Sequence, residues 1–291
     1  MLPLVRLLIT GGSGYLGGEL VRRAPAGGWE ATGTRFASAG DSPVLDVRDA
    51  AAVDRLVGKI RPAAIVHTAY LQSGPDMADV NVAGSANVAR AAAATGARLV
   101  HLSTDFVFDG AKDGPYREDD EPAPVTPYGE SKLAAERAVA AEHPAALLVR
   151  TSLLYAGPQP GAHERLVADA IAGTVNVGFF TDELRCSIAV GDLAAALLEL
   201  LDGDLRGPLH VAGAETVSRY RFAELVAGAA GLDRERLRPA LSADLPVRRP
   251  RNCALDCSRA AAVLATRLRG PSEVLGAADR PIYTRSRWRR P

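Results

Sequence analysis

A set of regularly spaced glycines directly after an apolar run constrains the fold of this chain more than any other feature. The run is almost continuous and is typical of a central parallel strand that other elements cover on both faces. Gly11, Gly14 and Gly17 follow, and this spacing allows a tight turn and a close approach of the backbone to a pyrophosphate. The helix that begins there points its N-terminus at the phosphates. We therefore predict a doubly wound α/β fold with a parallel sheet, which binds a dinucleotide at Gly11, Gly14, Tyr15 and Leu16.

The length and composition fit a folded protein of this class. The chain has 291 residues, of which 47% are hydrophobic and 23% are charged, so it can bury one large core and a smaller lobe. It has 34 basic and 34 acidic residues, and this balance gives no reason to expect binding to nucleic acid or to an anionic membrane. Binding of anions must therefore depend on local clusters of charge.

The cysteines and the apolar segments bear on metals and on the compartment. Cys186, Cys253 and Cys257 are odd in number and lack paired metal-ligand spacing, so we expect neither a disulfide framework nor a metal site. The first residues do not have the layout of a signal peptide, and no apolar run is long enough to span a bilayer. We expect a cytoplasmic location.

A tyrosine and a lysine four residues apart indicate the chemistry. Tyr128 and Lys132 stand at the start of an alanine-rich helix with Thr126 as its expected N-cap, so they share one helix face. A phenol titrates near ~10 and an ammonium near ~10.4, so the lysine is expected to make the tyrosine a better proton donor or acceptor. Upstream, a predicted buried strand ends in Ser103 and Thr104, whose hydroxyls can bond a carbonyl oxygen. The spacing alone is a common coincidence, but with this strand and the glycine loop it predicts a catalytic triad of Thr104 (or Ser103), Tyr128 and Lys132.

At these residues the chain resembles a known family. The segments STDFVFDG (103–110), PYREDD (115–120) and YGESKLAAE (128–136) are similar to those of extended short-chain dehydrogenase/reductases, and within them to the dTDP-4-dehydrorhamnose reductase branch. The resemblance implies NAD(P)-dependent reduction of a nucleotide-linked 4-keto-6-deoxysugar, with dTDP as the expected nucleotide. It also implies a Rossmann domain over residues 1–156 and a smaller, discontinuous substrate-binding lobe over 157–291, interleaved with the last elements of the sheet. A homodimer is an expected assembly.

Further residues are expected beside the cofactor. The second predicted strand ends at Arg35, whose guanidinium can pair with a ribose 2′-phosphate, whereas an acidic residue there would favour the free hydroxyl. NADPH is therefore the predicted cofactor, with NADH as the alternative if Arg35 is a solvated strand-end charge. The resemblance places Asp46 and Val47 at the adenine, the backbone near Ala69 along the cofactor, and Asn81 among the residues that order the active-site backbone.

The resemblance also assigns the substrate side. Ser103 and Asp105 are expected to contact the substrate, and Leu153 stands where the reductase branch often has an aromatic residue, which leaves the identity of the sugar open. The segment around Arg185 is closer to nucleotide-sugar epimerases and dehydratases, in which this arginine binds the substrate diphosphate. Arg249 lies in a similar arginine-proline segment. We predict that Arg185 and Arg249 clamp the diphosphate; the alternative is two solvated surface arginines.

Two other functions stay open. A nucleotide-sugar 4-epimerase or dehydratase would regenerate its cofactor in each cycle, and a dehydratase would also need an acidic pair, whereas Phe106 follows Asp105 here. The same branch resembles the β subunit of methionine adenosyltransferase, a non-catalytic NADP-binding regulatory subunit, and the intact triad argues against that role. Net consumption of NADPH would favour the reductase over both.

Overall fold

The fold is organised around a six-stranded parallel sheet. The computed structural model describes residues 5–157 and 159–276, so the end of the predicted lobe, 277–291, lies outside the described residues. The strands in these ranges are β1 (Val5–Thr10), β2 (Trp29–Gly33), β3 (Ala64–His67), β4 (Arg98–Thr104), β5 (Leu147–Thr151), β6 (Leu154–Tyr155), β7 (Phe179–Phe180), β8 (Leu184–Arg185), β9 (Ile188–Ala189), β10 (Gly207–His210), β11 (Val217–Ser218) and β12 (Pro239–Ala240). The α-helices are α1 (Tyr15–Arg23), α2 (Ala50–Ile60), α3 (Gly84–Thr95), α4 (Pro127–Glu142), α5 (Ala162–Ala172), α6 (Val190–Glu199), α7 (Arg219–Ala230), α8 (Ser258–Ala261) and α9 (Pro271–Gly276).

The strand order of the sheet confirms the predicted doubly wound α/β fold. The order is β2-β1-β3-β4-β5-β10, and every neighbouring pair is parallel. The order changes direction at β1, which has β2 on one side and β3 on the other. In open sheets of this kind, ligands bind beyond the carboxyl ends of the strands at such a point.

Apolar layers cover both faces of the sheet. Side chains alternate along β1, so Leu7 and Ile9 pack in the layer formed with α1 and α6, while Leu8 packs in the layer formed with α2 and α3. All three side chains are fully buried. Burial of both faces explains why this strand has an almost continuous apolar sequence.

A smaller apolar cluster lies in the second half of the chain. It joins α5, α7 and α9 through side chains that include Val167, Phe222 and Leu275. The same half of the chain also supplies β10, which pairs with β5, and α6, which packs on α1. The second half therefore contributes both to the parallel sheet with its covering helices and to the smaller cluster. The division of the chain near residue 157 stays a proposal.

No helix in residues 5–157 and 159–276 is long and apolar enough to cross a membrane. No group of three His, Cys, Asp or Glu side chains in those ranges is placed to hold a metal ion. The three cysteines are free thiols, and burial raises their pKa values.

Candidate active site

The glycine loop forms a cradle at the carboxyl end of β1. Gly11 has a φ of 74°, and a Cβ there would lie 2.9 Å from the backbone nitrogen of Ala69, just beyond β3. A Cβ on Gly17 would collide with the carbonyl group of Gly11, so a side chain cannot be accommodated at either position without a shift of the backbone. α1 begins after Gly14 without a side-chain cap. This cradle fits a pyrophosphate at a helix N-terminus, with Gly11, Gly14 and Leu16 as proposed contacts.

The side chain of Tyr15 joins α1 to the loop that follows β6. Its hydroxyl accepts from the backbone N–H of Gly157 at 2.7 Å and donates to Glu164 at 3.3 Å. Glu164 is fully buried and also accepts from the N–H groups of Ala156 and Gly161, at 3.1 and 2.7 Å. The phenol is thus turned toward the lobe, and the proposed cofactor contact of Tyr15 would come from its backbone.

Two residues predicted at the adenosine end are bonded within the protein. The guanidinium of Arg35 donates to the carbonyl oxygens of Ser38 at 2.7 Å and Ser42 at 3.0 Å, so it folds back onto the loop after β2. Asp46 pairs with Arg48 at 2.8 Å, and hydrogen bonding from this guanidinium lowers the pKa of the carboxyl group. Binding of a 2′-phosphate by Arg35 would therefore compete with two backbone carbonyls.

Three other predicted contacts differ in how accessible they are. Val47 is buried against Gly84, where a Cβ would collide with the valine side chain. Ala69 is partly exposed beside the glycine cradle. Leu153 is also partly exposed, and its carbonyl oxygen accepts from the N–H of Ile188 at 2.9 Å. Ala69 and Leu153 are therefore accessible to ligands, whereas Val47 supports the backbone around it.

The structure brings Thr104, Tyr128 and Lys132 together at the carboxyl end of β4. α4 begins after Thr126, whose side chain caps the helix as predicted. Tyr128 is half-buried, and its phenol lies within hydrogen-bonding distance of the Thr104 hydroxyl. Lys132 is 3% exposed, and its ammonium donates to the carbonyl oxygen of Leu102 at 2.7 Å.

Burial dominates the titration of the tyrosine and the lysine. Burial raises the pKa of Tyr128 well above its usual value, and Tyr70 and Asp105 raise it further. Burial also lowers the pKa of Lys132 to about 8. The ammonium of Lys132 is bonded to the Leu102 carbonyl, and the lowering of the Tyr128 pKa by this lysine stays a prediction.

Asp105 supports Thr104 from inside the protein. It is 2% exposed and accepts from the hydroxyls of Thr104 at 3.1 Å and Ser152 at 2.7 Å. Burial raises the pKa of Asp105, and the charge of Arg185 opposes this rise. The structure therefore does not place Asp105 where a substrate could touch it; instead, the carboxylate fixes the orientation of the Thr104 hydroxyl.

The hydroxyl of Ser103 belongs to a different, buried hydrogen-bond network. Its hydroxyl donates to Glu136 of α4, which is buried and paired with Arg150 at 2.8 Å. Successive side chains of a strand point to opposite faces, so Thr104 rather than Ser103 meets Tyr128. The predicted substrate contact of Ser103 is not supported, because its hydroxyl is buried in this pair of charges.

Asn81 fixes the backbone beside the triad. Its side chain accepts from the N–H of Leu71 at 2.9 Å, and it donates to the Leu71 carbonyl at 2.8 Å and to the Ser131 hydroxyl at 2.9 Å. Ser131 in turn donates to the carbonyl oxygen of Tyr128 at 2.8 Å. Asn81 lies in a π-helical turn, Asp79–Ala83, directly before α3. The loop after β3 is thereby tied to the first turn of α4.

The two arginines predicted to clamp a diphosphate converge on one carboxylate. Arg185 is 1% exposed, and it donates to the carbonyl oxygens of Pro250 at 2.8 Å and Arg251 at 2.9 Å. Glu183 is fully buried, lies 3.4 Å from Arg185 and also pairs with Arg249. The side chain of Arg249 is 31% exposed. The structure therefore does not place Arg185 in reach of a diphosphate, because its N–H groups are held internally, whereas Arg249 keeps an accessible side.

Three residues beside the triad were not assigned a role from the sequence. Tyr70 is 52% exposed, and its ring centroid lies 6.0 Å from that of Tyr128, while Phe106 lies 5.9 Å away on another side. The charge of Arg219, the first residue of α7, acts on Asp105. Tyr70 follows a predicted strand end, and the sequence places that segment beside the cofactor without giving the side chain a role. Arg219 has no such signal, since a distant part of the chain brings it to the site.

The fold and the site together define a class of protein. A doubly wound parallel sheet, a glycine cradle at its switch point and a Thr-Tyr-Lys triad are the features of a Rossmann-type oxidoreductase of the extended short-chain dehydrogenase/reductase class. The family described as RmlD substrate binding domain matches residues 5–277. The chain belongs to this family.

Similarity to known proteins covers most of the chain. It is 38% identical over 257 residues to a dTDP-4-dehydrorhamnose reductase of Mycobacterium tuberculosis, which covers 85% of this chain and 83% of that protein. It is 33% identical over 280 residues to methionine adenosyltransferase 2 subunit beta of Pongo abelii, which covers 89% of this chain and 82% of that protein. The crystal structure of a Bacillus anthracis dTDP-4-dehydrorhamnose reductase in complex with NADP matches with a TM-score of 0.82 and 26% identity, over 96% of this chain and 98% of that chain.

Proposed function

We propose that this protein is an NADPH-dependent reductase of a nucleotide-linked 4-keto-6-deoxysugar, with dTDP as the nucleotide and NADH as an alternative cofactor. The meeting of Thr104, Tyr128 and Lys132 beside the glycine cradle is the observation that supports this proposal most directly. The similar reductases, one of which is in complex with NADP, support both the reaction and the cofactor.

Each residue of the triad has a distinct task. NADPH held at the glycine cradle would supply the hydride. Tyr128, whose pKa burial raises, is protonated at neutral pH and donates its proton to the carbonyl oxygen as negative charge develops there. Thr104, held by Asp105, orients the phenol and the carbonyl oxygen. The buried ammonium of Lys132 would lower the pKa of Tyr128 and hold the nicotinamide ribose when the cofactor is bound.

Net oxidation of NADPH tests the proposal. Purified protein is incubated with NADPH and a dTDP-4-keto-6-deoxyhexose, and NADPH absorbance is followed together with the sugar product. We expect one NADPH to be consumed for each sugar reduced. A 4-epimerase would interconvert sugars without net consumption of NADPH, and a panel of nucleotide sugars that yields no consumption would contradict the reductase.

A non-catalytic regulatory subunit is the second candidate. The 33% identity to methionine adenosyltransferase 2 subunit beta favours it, whereas the complete triad favours an enzyme. Stoichiometric NADPH binding without turnover of any keto sugar would be the result that supports the regulatory role. The cytoplasmic location and the homodimer stay predictions, and size-exclusion chromatography with light scattering measures the latter.

A further inference from the structure

Tyr70 is a large aromatic side chain that stays half exposed directly beside the triad. Its relative exposure is 52%, whereas that of Lys132 is 3%. The centroid of its ring lies 6.0 Å from that of Tyr128 and 5.8 Å from Nζ of Lys132. Both distances are within the range in which aromatic pairs and cation–π pairs attract each other. The ring therefore has solvent on its exposed side and this tyrosine-lysine pair on its covered side.

The backbone on both sides of Tyr70 is held by hydrogen bonds. The hydroxyl of Thr68 donates to the carbonyl oxygen of Thr10, the last residue of β1, at 2.7 Å. The side-chain amide of Asn81 bonds both the N–H and the carbonyl oxygen of Leu71, at 2.9 and 2.8 Å. The ring is thus presented to the triad by a fixed segment rather than by a free loop.

The carboxylate that acts on the ammonium of Lys132 also pairs with a second cation. Burial lowers the pKa of Lys132 to about 8, and the charge of Glu136, one turn further along α4, opposes this effect. Glu136 pairs with Arg150 at 2.8 Å, so its negative charge is shared. Burial therefore has the larger effect on the protonation of Lys132, and the groups that keep water away from the ammonium determine it.

Two buried histidines face the same ammonium from the sheet. His67 on β3 and His101 on β4 have ring centroids 5.3 Å apart, and the side chains are 1% and 0% exposed. Burial lowers the pKa of both rings, and the charge of Lys132 lowers it further. Both rings are therefore neutral near neutral pH. Lys132 titrates against uncharged groups on this side, and the ring of Tyr70 covers another side.

We propose that Tyr70 is a positioning residue of the triad, whose ring shields the ammonium of Lys132 from water and packs against the ring of Tyr128. With water kept away, the charge of Lys132 acts on Tyr128 through a less polar medium, in which it is stronger than in water. The ring rather than the hydroxyl has this role, because the face of an aromatic ring attracts a cation by itself. The part of Tyr70 in the reaction rests on the proposed reductase function, whereas the shielding of Lys132 can be measured without a substrate.

The titration of Lys132 can be followed directly, because the chain contains only three lysines, Lys59, Lys112 and Lys132. Protein labelled with carbon-13 at lysine Cε is titrated by NMR from pH 6 to pH 10, and Lys132→Met assigns the signal. We expect a pKa of about 8 in the wild type. Tyr70→Ala admits water to the ammonium and should raise this pKa to about 9 or higher, whereas Tyr70→Phe keeps the ring and should leave it unchanged.

The two other lysines and a neighbouring residue serve as controls. Lys59 is exposed on α2, and Lys112 is partly exposed after β4. Their signals should be the same in all variants, which also shows that Tyr70→Ala is folded. Leu71→Ala removes an apolar side chain, 38% exposed, from the next position of the same segment. This matched variant should keep the pKa of Lys132 at its wild-type value.

The pH profile of keto-sugar reduction gives the functional readout. Tyr70→Ala should lower kcat at pH 7 about 10-fold, since a solvated ammonium acts less on Tyr128, and Tyr70→Phe should restore it. The pH above which kcat falls should rise together with the pKa of Lys132, because the lysine must be protonated to act. A merely structural role of Tyr70 would lower kcat without moving this limb of the profile.

The outcomes separate the role of Tyr70 from the proposed function. A Lys132 signal that titrates at the same pH in the wild type and in Tyr70→Ala would overturn the shielding. A Tyr70→Phe variant that behaves like Tyr70→Ala would also overturn it, since the hydroxyl would then matter rather than the ring. If the pKa of Lys132 rises in Tyr70→Ala while the wild type reduces no keto sugar, the shielding stands and the reductase function fails. If the wild type reduces a keto sugar and Tyr70→Ala changes neither the titration nor the pH profile, the reverse holds.

Discussion

Replacing Lys132 by methionine should change the pH dependence of stability as well as activity. Burial lowers the pKa of Lys132 from its ordinary value of 10.5 to about 8. The unfolded chain therefore binds more protons than the folded protein between these two values, and stability gained from this residue rises with pH across that window. The full shift corresponds to about 3 kcal/mol. Between pH 7 and pH 9.5 the wild type should gain about 2 kcal/mol relative to Lys132→Met, which cannot titrate there.

Urea unfolding at pH 7, 8, 9 and 9.5 measures this difference, because titrations common to both proteins cancel when the free energies of unfolding are subtracted. Lys59→Met, at an exposed position of α2, is the control, and its difference from the wild type should stay flat. Lys132→Met should also lose most keto-sugar reduction. A difference between wild type and Lys132→Met that does not change with pH would refute the reasoning, since it would mean that the ammonium is not destabilised by burial.

Three further predictions concern the triad and the cofactor. Tyr128→Phe removes the proton donor but keeps the ring packing, so turnover should fall about 10²- to 10⁴-fold while NADPH affinity is retained; turnover near that of the wild type would exclude the tyrosine as the acid. Arg35→Ala should weaken NADPH about 10-fold or more and NADH much less, as measured by fluorescence titration, and equal losses would mean that Arg35 orders only the loop it bonds in this structure. Asp105→Asn should lower kcat by about 10- to 100-fold through a misplaced Thr104 hydroxyl, with NADPH affinity unchanged, and an unaltered kcat would remove Asp105 from the positioning network.

The elements that the sequence predicted well depend on local interactions. The strand at the start of the chain was predicted from an apolar run. The loop and the helix after it were predicted from glycines, and the structure leaves no room for a Cβ at Gly11 or Gly17. The cap of α4 at Thr126 depends on residues three positions apart. The triad could be predicted for the same reason, since Tyr128 and Lys132 share one helix turn and Thr104 ends the strand before it.

The partners of long charged side chains could not be predicted in this way. Arg185 was expected to bind a ligand, but its guanidinium is held by carbonyl groups at residues 250 and 251, which packing brings to it. Arg35 folds onto its own loop. Arg219 has no local sequence signal, because the packing of α7 brings its charge close to Asp105 from a distant part of the chain. Such assignments require the positions of all charged groups in the folded site.

The hydrogen bonds of Tyr15 couple the segment after β6 to the affinity for the cofactor. The first residue of α1 is fastened to Gly157 and Glu164, so the helix that would face a pyrophosphate is not mechanically independent of the segment after β6. A substitution in that segment should alter how tightly the dinucleotide is held, although it lies outside the glycine loop. The dissociation constant of the coenzyme should therefore be measured first for any variant of the lobe with altered sugar preference. Weaker coenzyme binding alone can lower the activity measured with a sugar substrate.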